Sequence, residues 1–346
     1  MPRAVGGLLP VAGTVAGALR VMRTTGAVLV LAALLLLPAS AAAAQPAAPQ
    51  RVTFGAYIND IQDLDLRNHS YAVDVYVWMR WTDSSIDPSA TLELMNPYEL
   101  WTMVRTPAFN APQRLPDGSL YQTVRFQGRF SSKMALEDFP FDRQTLTMVF
   151  EDDRYDDAEI AYVPDADPIT MNELTSLPGY ELGSPDLVVS TQQYPTTFGD
   201  TSMTEAADYS RVTISVPITR PALIYVIKLI VPVLLVVIVA ALVFLLHSSY
   251  VEARIAMGVT ALLTLVALQF TTNATLPQVE YPMMIDLIYV ASYLFVLAVM
   301  AQAVATSWMA QRGDAARATA LDRRMVVVAG IGYAILIGAV LVAYLA

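Results

Sequence analysis

The stretch from residue 252 to residue 277 carries a carboxylate, hydroxyl groups and bulky apolar side chains at helical spacing. At 100° per residue, one set of these side chains falls within a sector of about 80° on the helix surface. The set comprises Glu252, Ala256, Thr260, Leu263, Ala267, Phe270 and Ala274. Such a stripe suits close packing against other helices, and it equally suits the lining of a water-filled pore. This stretch alone leaves both interpretations open.

If the stripe lines a pore, its chemistry is that of ion conduction. A ring of Glu252 carboxylates concentrates cations and excludes anions, and Thr260 offers hydroxyl groups to a partly dehydrated ion. Bulky rings from Leu263 to Phe270 close such a pore by dewetting. One striped helix cannot enclose a pore by itself, so this interpretation requires a ring of identical chains.

Four apolar segments of membrane-spanning length must hold the stripe in place. They are predicted over residues 221–246, 253–273, 283–309 and 325–346. The link between the last two carries four arginines, which the positive-inside rule assigns to the cytoplasm. We therefore expect a multi-pass membrane protein. Its N-terminal domain and its C-terminus lie outside, and Glu252 lies at the cytoplasmic mouth.

The composition of the 346-residue chain agrees with this expectation. Hydrophobic residues make up 55% and charged residues 15%, whereas ordinary soluble domains carry about 25% charged residues. The net charge of −10 argues against nucleic acid as a partner. The chain has no cysteine, and its two histidines, His69 and His247, lie far apart in sequence. Thiol chemistry and a histidine metal site are therefore not indicated.

Residues 1–44 are typical of a signal peptide. Arginines precede a short apolar run, and small residues suited to signal-peptidase cleavage follow it. Met22 is an alternative start, and an uncleaved anchor is the alternative to cleavage. Residues 45–50 form a predicted linker to which no secondary structure is assigned.

Residues 51–219 have the pattern of an exported β-sandwich. Short alternating or β-branched runs recur between turn signals, without a long helical pattern. The runs lie at 51–58, 70–81, 119–132, 144–150, 186–194 and 209–218. Pro116-Asp117-Gly118 predicts a hairpin turn, and one short helix is expected near residues 87–94.

The sequence LEDFPFDRQTL, residues 136–146, resembles the loop that gives the Cys-loop receptors their name. Ser132 and Leu146 stand where the disulfide-bearing members carry cysteines, so the bridge is absent, as in the bacterial branch. A second motif, RPALIYVIKLIVP at 220–232, is similar to that family's entry into its first membrane helix. Trp81-Thr82-Asp83 adds a weaker match.

The striped stretch carries the third resemblance. Counting back from Pro277, Leu263 falls where the family has its gate leucine, and Glu252 falls where bacterial cation channels have a glutamate. The resemblance covers about residues 51–346, and its motifs occur in the family's order. The chain is thus similar to a bacterial pentameric ligand-gated channel. This implies a β-sandwich followed by a four-helix bundle, five-fold symmetry and a pore lined by the second helix.

The resemblance also implies a ligand site between neighbouring sandwiches, enclosed by aromatic side chains. Matching positions on one face are Phe150, Tyr155, Tyr194, Phe198 and Tyr209, and the neighbouring subunit contributes Tyr76 or Trp78. Ring faces attract cations, which favours a small cationic agonist. Ordinary packing in the sandwich core remains the alternative for each ring, above all for Tyr76 and Trp78.

A cluster that couples the two domains is expected where they meet. Arg220 ends the sandwich, Asp142 lies in the FPFD loop, and Asp65 lies in the turn before the second strand. An arginine between two carboxylates in a partly dehydrated interface is strongly coupled to them. Phe139 and Pro140 of the loop and Pro277 after the striped helix complete the predicted cluster. A weak surface salt bridge is the alternative.

The acidic run after residue 150 leaves three interpretations open. Its four aspartates are Asp152, Asp153, Asp156 and Asp157. They suit a modulatory calcium ion, since carboxylates are calcium ligands. They also suit proton sensing, because crowded carboxylates have raised pKa values. A solvated acidic loop is the simplest interpretation.

These observations predict a homopentameric, ligand-gated channel for monovalent cations in a bacterial cytoplasmic membrane. It is opened by a small cationic agonist or by protons and needs no cofactor beyond a possible modulatory calcium ion. The alternatives are an anion-selective channel of the same family and a non-conducting, membrane-anchored ligand receptor. An enzyme is disfavoured, because the sequence shows no nucleophile–base pairing, phosphate loop or metal motif.

Overall fold

The computed structural model describes residues 48–199, residue 201 and residues 207–345. The predicted signal peptide, residues 1–44, lies outside the described residues. Within them, eleven strands precede four long helices. The strands are β1 (Gln50–Asp65), β2 (Ser70–Trp81), β3 (Leu92–Leu94), β4 (Val104–Pro107), β5 (Gln113–Arg114), β6 (Leu120–Ser131), β7 (Arg143–Asp152), β8 (Ile160–Met171), β9 (Glu181–Leu182), β10 (Asp186–Gln193) and β11 (Asp208–Thr219).

The strands form two facing sheets. The first has the order β4-β6-β2-β1-β8, with β5 paired to β6, and the second has the order β10-β11-β7-β3, with β9 paired to β11. Phe150 of the second sheet meets the first sheet, since its ring centroid lies 5.7 Å from those of Phe54 and Phe126. All three rings are almost completely buried. This arrangement confirms the predicted β-sandwich.

The structure contains both the short helix and the hairpin turn that the sequence predicts in the sandwich. A short helix, α1 (Pro88–Thr91), begins after Asp87, whose side chain accepts a hydrogen bond from the Ser89 amide. At the hairpin between β5 and β6, Gly118 has φ of 88°, a left-handed conformation that favours glycine. Strand β8 was not predicted, because Pro164 and Pro168 interrupt its pattern. It lies at a sheet edge, where proline is tolerated.

Four helices follow the sandwich, each long and apolar enough to cross a membrane. They are α2 (Ala222–Leu245), α3 (Val251–Asn273), α4 (Met284–Gln311) and α5 (Ala315–Leu345). The bounds of the first three agree closely with the predicted spans. In α2, the turn Val226–Ile230 is π-helical and ends two residues before Pro232. A proline removes one helical hydrogen bond and crowds the preceding turn, which a wider turn relieves.

Helix α5 begins at Ala315, and the predicted start at residue 325 was wrong. The prediction followed apolar character, which begins only after Arg324. The preceding residues are mostly alanine, leucine and arginine, which are strong helix formers. The link between α4 and α5 is therefore short: Gly313 adopts φ of 97°, and the Asp314 carbonyl accepts the Ala318 amide at 3.0 Å.

Candidate functional site

Most of the stripe on α3 faces away from the chain's own helices, although Ala256 and Thr260 border a groove beside Leu235 and Val239 of α2. The face of α3 that is buried against the bundle comprises Arg254, Gly258, Ala261, Leu265 and Thr272. The predicted pore positions are all exposed: Glu252, Ala256, Thr260, Leu263, Ala267 and Phe270. The two sets lie on opposite sides of the helix. Packing within the chain's own bundle therefore does not explain the stripe.

Close contact between α3 and α4 fixes this orientation. A Cβ atom on Gly258 would lie 2.5 Å from the Met300 side chain, so the two helices approach at that point as only glycine allows. On the opposite face, Leu263 is 63% exposed and Phe270 is 78% exposed. Large apolar groups with such exposure on a membrane-spanning helix meet lipid, a partner surface or a pore.

A pocket of about 350 Å³ lies on the outer face of the second sheet. Its lining combines aromatic and acidic side chains with one methionine. The residues are Glu93, Met95, Glu151, Asp152, Asp153, Tyr194, Phe198 and Tyr209. The Tyr194 ring lies 5.5 Å from that of Phe198 and 5.8 Å from that of Tyr209, both in edge-on geometry. The structure thus brings together three of the predicted aromatic residues.

Glu151 anchors this pocket, and the sequence analysis did not identify it. Its side chain is almost fully buried, pairs with Arg211 and accepts a 2.9 Å hydrogen bond from the Tyr194 hydroxyl. Arg211 also donates to the Tyr194 oxygen at 3.1 Å. The alternation of side chains along β7 could have identified Glu151. Met148 and Phe150 point into the core, so Glu151, next to Phe150, points to the outer face.

Two rings predicted for the pocket lie elsewhere. Phe150 is fully buried in the sandwich core, so its assignment to the ligand site was wrong. Tyr155 is half-buried and does not line the pocket; the Arg154 guanidinium lies 5.8 Å from its ring centroid.

Tyr76 and Trp78 lie on β2 in the first sheet, away from the pocket of the same chain. Arg125 covers Tyr76, with its guanidinium carbon 5.1 Å from the ring centroid. The Trp78 indole donates a 2.8 Å hydrogen bond to Asp165. Both side chains are half-buried on the outer surface of that sheet. They contribute to a ligand site only if a neighbouring subunit supplies the pocket.

Two aspartates of the acidic run, Asp152 and Asp157, have raised pKa values, but the run does not form a metal cluster. Burial raises the pKa of Asp152, whose oxygens accept hydrogen bonds from the Thr91 hydroxyl and the Tyr155 amide. Burial, followed by repulsion from Asp153 and Glu151, raises the pKa of Glu93. Among the described residues, no three His, Cys, Asp or Glu side chains converge as metal ligands would. The structure therefore does not bring together the four aspartates considered for calcium.

Arg220 lies at the centre of the junction between the sandwich and the helices. Its Nε atom is 2.6 Å from Asp142 Oδ1, and both side chains are almost fully buried. Its guanidinium carbon lies 4.9 Å, 4.8 Å and 5.2 Å from the ring centroids of Phe139, Tyr180 and Tyr225. Burial opposes the charge, yet the hydrogen bonds that Arg220 donates to the Asp142 carboxylate raise the pKa of Arg220 above its ordinary value. Sequence reasoning missed Tyr180 and Tyr225.

Asp65 is not part of this cluster, and that prediction was wrong. Its carboxylate accepts hydrogen bonds from the backbone and side-chain nitrogens of Asn68, three residues later. Asparagine and aspartate commonly close turns in this way, and this local bond keeps Asp65 within its own turn.

The FPFD loop also contacts the helices directly. The Leu136 amide donates to the Tyr281 hydroxyl at 3.1 Å, and the Met284 amide donates to the Glu137 carbonyl at 2.8 Å. Pro140 of the loop and Pro277 after α3 are buried. One loop therefore touches the end of the sandwich, the start of α2 and the segment that joins α3 to α4.

Comparison with known proteins agrees with both halves of this architecture. Residues 107–222 match the model of the neurotransmitter-gated ion-channel ligand binding domain, and residues 229–331 match that of the corresponding transmembrane region. The chain is also 23% identical over 270 residues to the human gamma-aminobutyric acid receptor subunit gamma-3. That alignment covers 73% of this chain and 56% of the human subunit, so the chain spans little more than half of that relative. Because the two matched domains follow each other in order across most of the described chain, the protein belongs to the neurotransmitter-gated ion-channel family.

Proposed function

We propose that the chain is the subunit of a homopentameric, ligand-gated channel that is selective for monovalent cations. The observation that carries this proposal is the exposed stripe on α3, with Glu252 at one end and bulky apolar residues further along. In a ring of five chains the stripes face a common axis, which gives Leu263 and Phe270 the surroundings that a single chain does not provide. A non-conducting receptor would have no use for such a stripe.

The orientation follows from charge. The arginines around the α4–α5 link are exposed and favour the cytoplasmic side. Glu252, at the start of α3, then lies at the cytoplasmic mouth, and the sandwich and the end of α5 lie outside. We place the channel in a bacterial cytoplasmic membrane, because the cysteine-free FPFD loop resembles the bacterial branch of the family.

Replacing Glu252 by glutamine tests the ion selectivity. Each carboxylate attracts a cation at 4 Å by about 1 kcal/mol in water and more in a confined pore. We expect the cation-to-anion permeability ratio to fall by about tenfold, because each 1.4 kcal/mol changes an equilibrium constant by tenfold. Reversal potentials measured across a KCl gradient report this ratio.

The matched control is Asp314→Asn, which neutralises an exposed carboxylate in the α4–α5 link. The control is expected to leave the ratio unchanged. An unchanged ratio in Glu252→Gln removes Glu252 from the selectivity filter. A wild-type channel that already prefers chloride establishes the anion-selective alternative instead.

We further propose that the agonist is a small organic amine. The pocket around Tyr194 sets three aromatic rings and four carboxylates against one nearby arginine, Arg211, which already pairs with Glu151. Ring faces and carboxylates both favour a cation, each ring by about 0.5–2 kcal/mol. Tyr76 and Trp78 of the neighbouring subunit close the open side. The name of the human relative makes gamma-aminobutyric acid a natural probe, although the acidic pocket favours a plain amine over this zwitterion.

Acidification is expected to weaken the response to an amine. Lowering the pH protonates carboxylates with raised pKa values before ordinary ones, so Glu93 and Asp152 lose charge first. The half-maximal concentration of propylamine, which stays protonated, should rise as the pH is lowered from 7.5 into the range in which these two carboxyl groups titrate. Glu93→Gln should reduce this shift, whereas Glu159→Gln, on the exposed surface, should not. Concentration–response curves in oocytes measure the shift.

The opposite result has a defined meaning. If acid alone opens the channel without an amine, protons are the agonist and the amine proposal is wrong. If the half-maximal concentration does not change with pH, the carboxylates of the pocket do not contribute to agonist binding.

A further inference from the structure

Arg254 lies in the first turns of α3, on the side opposite Glu252, and is completely buried. Its Nη2 atom donates a 2.7 Å hydrogen bond to Asp322 of α5. Its Nη1 atom lies 3.0 Å from the Thr306 hydroxyl and 3.3 Å from the Ser307 hydroxyl, both on α4. Its Nε atom lies 3.3 Å from the Val243 carbonyl near the end of α2. One guanidinium therefore joins all four helices at the end where the stripe begins.

The contact to α5 stands out because most of that helix faces outward. Apolar side chains along its length are exposed, among them Val327, Ile331, Ile335 and Val342. Three described residues of α5 are buried, Ala318, Asp322 and Val340; of these only Asp322 is charged, and it is 2% exposed and held by the buried arginine. The nearby pair Arg317–Asp314 differs in kind: its atoms are 3.8 Å apart, and its side chains are 79% and 56% exposed. Exposed ion pairs of that kind contribute little to the stability of the fold. Breaking a buried pair costs more, because it leaves one charge buried without a partner.

The geometry of the first turn links this pair to the stripe. Residues two apart on a helix lie about 200° apart around its axis, so Glu252 and Arg254 point in nearly opposite directions. A bond that fixes Arg254 on the inner side therefore fixes the direction in which Glu252 points. No hydrogen bond from a side chain caps this end of α3 at Tyr250. The contacts of Arg254 therefore hold the rotation of this end of α3, together with the close packing of Gly258 against Met300 one turn further on.

We propose that Arg254 and Asp322 are positioning residues for the Glu252 ring, so that α5 helps to set the ion selectivity of a pore it does not line. This inference rests on the proposed cation channel. It assigns to the outermost helix a role at the cytoplasmic mouth beyond anchoring the chain in lipid. A purely structural role predicts altered assembly or surface expression, but unaltered selectivity in the channels that assemble.

Two substitutions at Asp322 test the proposal by their effect on reversal potential across a KCl gradient. Asp322→Glu keeps the charge but moves the carboxylate by one methylene, and Asp322→Asn removes the charge. We expect the cation-to-anion permeability ratio to fall several-fold in Asp322→Asn and less in Asp322→Glu. In a Glu252→Gln background, neither substitution should lower the ratio further, because both act through Glu252. Asp314→Asn in the exposed pair is the control and should not change the ratio.

The outcomes separate this inference from the function on which it rests. If Glu252→Gln lowers the ratio and the Asp322 variants leave it unchanged, the positioning role is overturned and the cation channel stands. If Glu252→Gln itself does not change the ratio, Glu252 does not determine ion selectivity, and the positioning role proposed here is wrong as well. Should Asp322→Asn not reach the surface, Asp322→Glu alone decides, since an unchanged ratio in that variant overturns the proposal.

Discussion

Channels in which Arg220 is replaced by alanine are expected to reach the cell surface and to remain closed at agonist concentrations that open the wild type. Arg220 joins the last strand of the sandwich, the FPFD loop and the first membrane helix through Asp142 and three aromatic rings. Its removal leaves the Asp142 carboxylate buried without its partner, and breaking a buried pair in this way costs about 3–5 kcal/mol. Movement of the sandwich then no longer reaches α2.

Because each 1.4 kcal/mol changes an equilibrium constant tenfold, we expect the half-maximal agonist concentration to rise by at least about 100-fold. Surface labelling alongside current recording separates failed gating from failed assembly. Arg220→Lys keeps the charge but not the planar fork that fits Asp142, so it should show an intermediate effect.

The control is Arg143→Ala, which removes an exposed arginine from the rim of the small cleft that Asp142 and Arg220 line. It should respond almost as the wild type does. Normal activation of Arg220→Ala would show that signals from the sandwich reach the helices by another route, such as the contact between Glu137 and Met284.

Replacing Leu263 by threonine is expected to produce a current in the absence of agonist. Leu263 is 63% exposed on the stripe, and in the proposed homopentamer a ring of five such side chains closes the pore by excluding water. A hydroxyl group at that level holds water in the constriction and lowers the barrier to ions. The measurement is the fraction of holding current that a pore blocker or a cation-free solution removes.

Val266→Thr makes the same chemical change one turn away and is the matched control. Val266 is 51% exposed but lies outside the sector of the stripe, so the control should remain closed at rest. If Leu263→Thr channels stay closed at rest and still open with agonist, Leu263 is not the gate. Phe270, which is also exposed on the stripe, is then the next position to test.

Most of the architecture could be predicted from the sequence, because periodicity and hydropathy report it locally. The runs at 70–81 and 144–150 correspond to β2 and β7, and three membrane helices were placed with nearly correct bounds. Strand β8 was missed because its prolines break the pattern, although an edge strand tolerates them. The start of α5 was misplaced because apolar character marks where lipid begins, whereas helix propensity marks where the helix begins.

The candidate sites were harder to predict, because they depend on which face a side chain occupies. Phe150 and Glu151 are neighbours on β7, yet one belongs to the core and the other to the pocket around Tyr194. Likewise, Tyr180 reaches Arg220 across a distance of forty positions in the chain, which no local pattern reports. Asp65 matched the family's pattern of charge, but a bond to Asn68 holds it within its own turn.

The wide turn at Val226–Ile230 has a consequence for how α2 serves two partners. A π-helical turn accommodates one more residue than a regular one, which offsets the rotational phase of the two helix segments by about 100°. Tyr225 before the turn contacts Arg220, whereas Leu235 and Val239 after it line a groove beside α3. The direction in which side chains point before the turn is therefore not fixed by the direction in which they point after it, although α2 is one continuous helix. Evolution can adjust the angle of the extracellular contact by a single insertion or deletion at this turn, while the packing around the pore stays as it is.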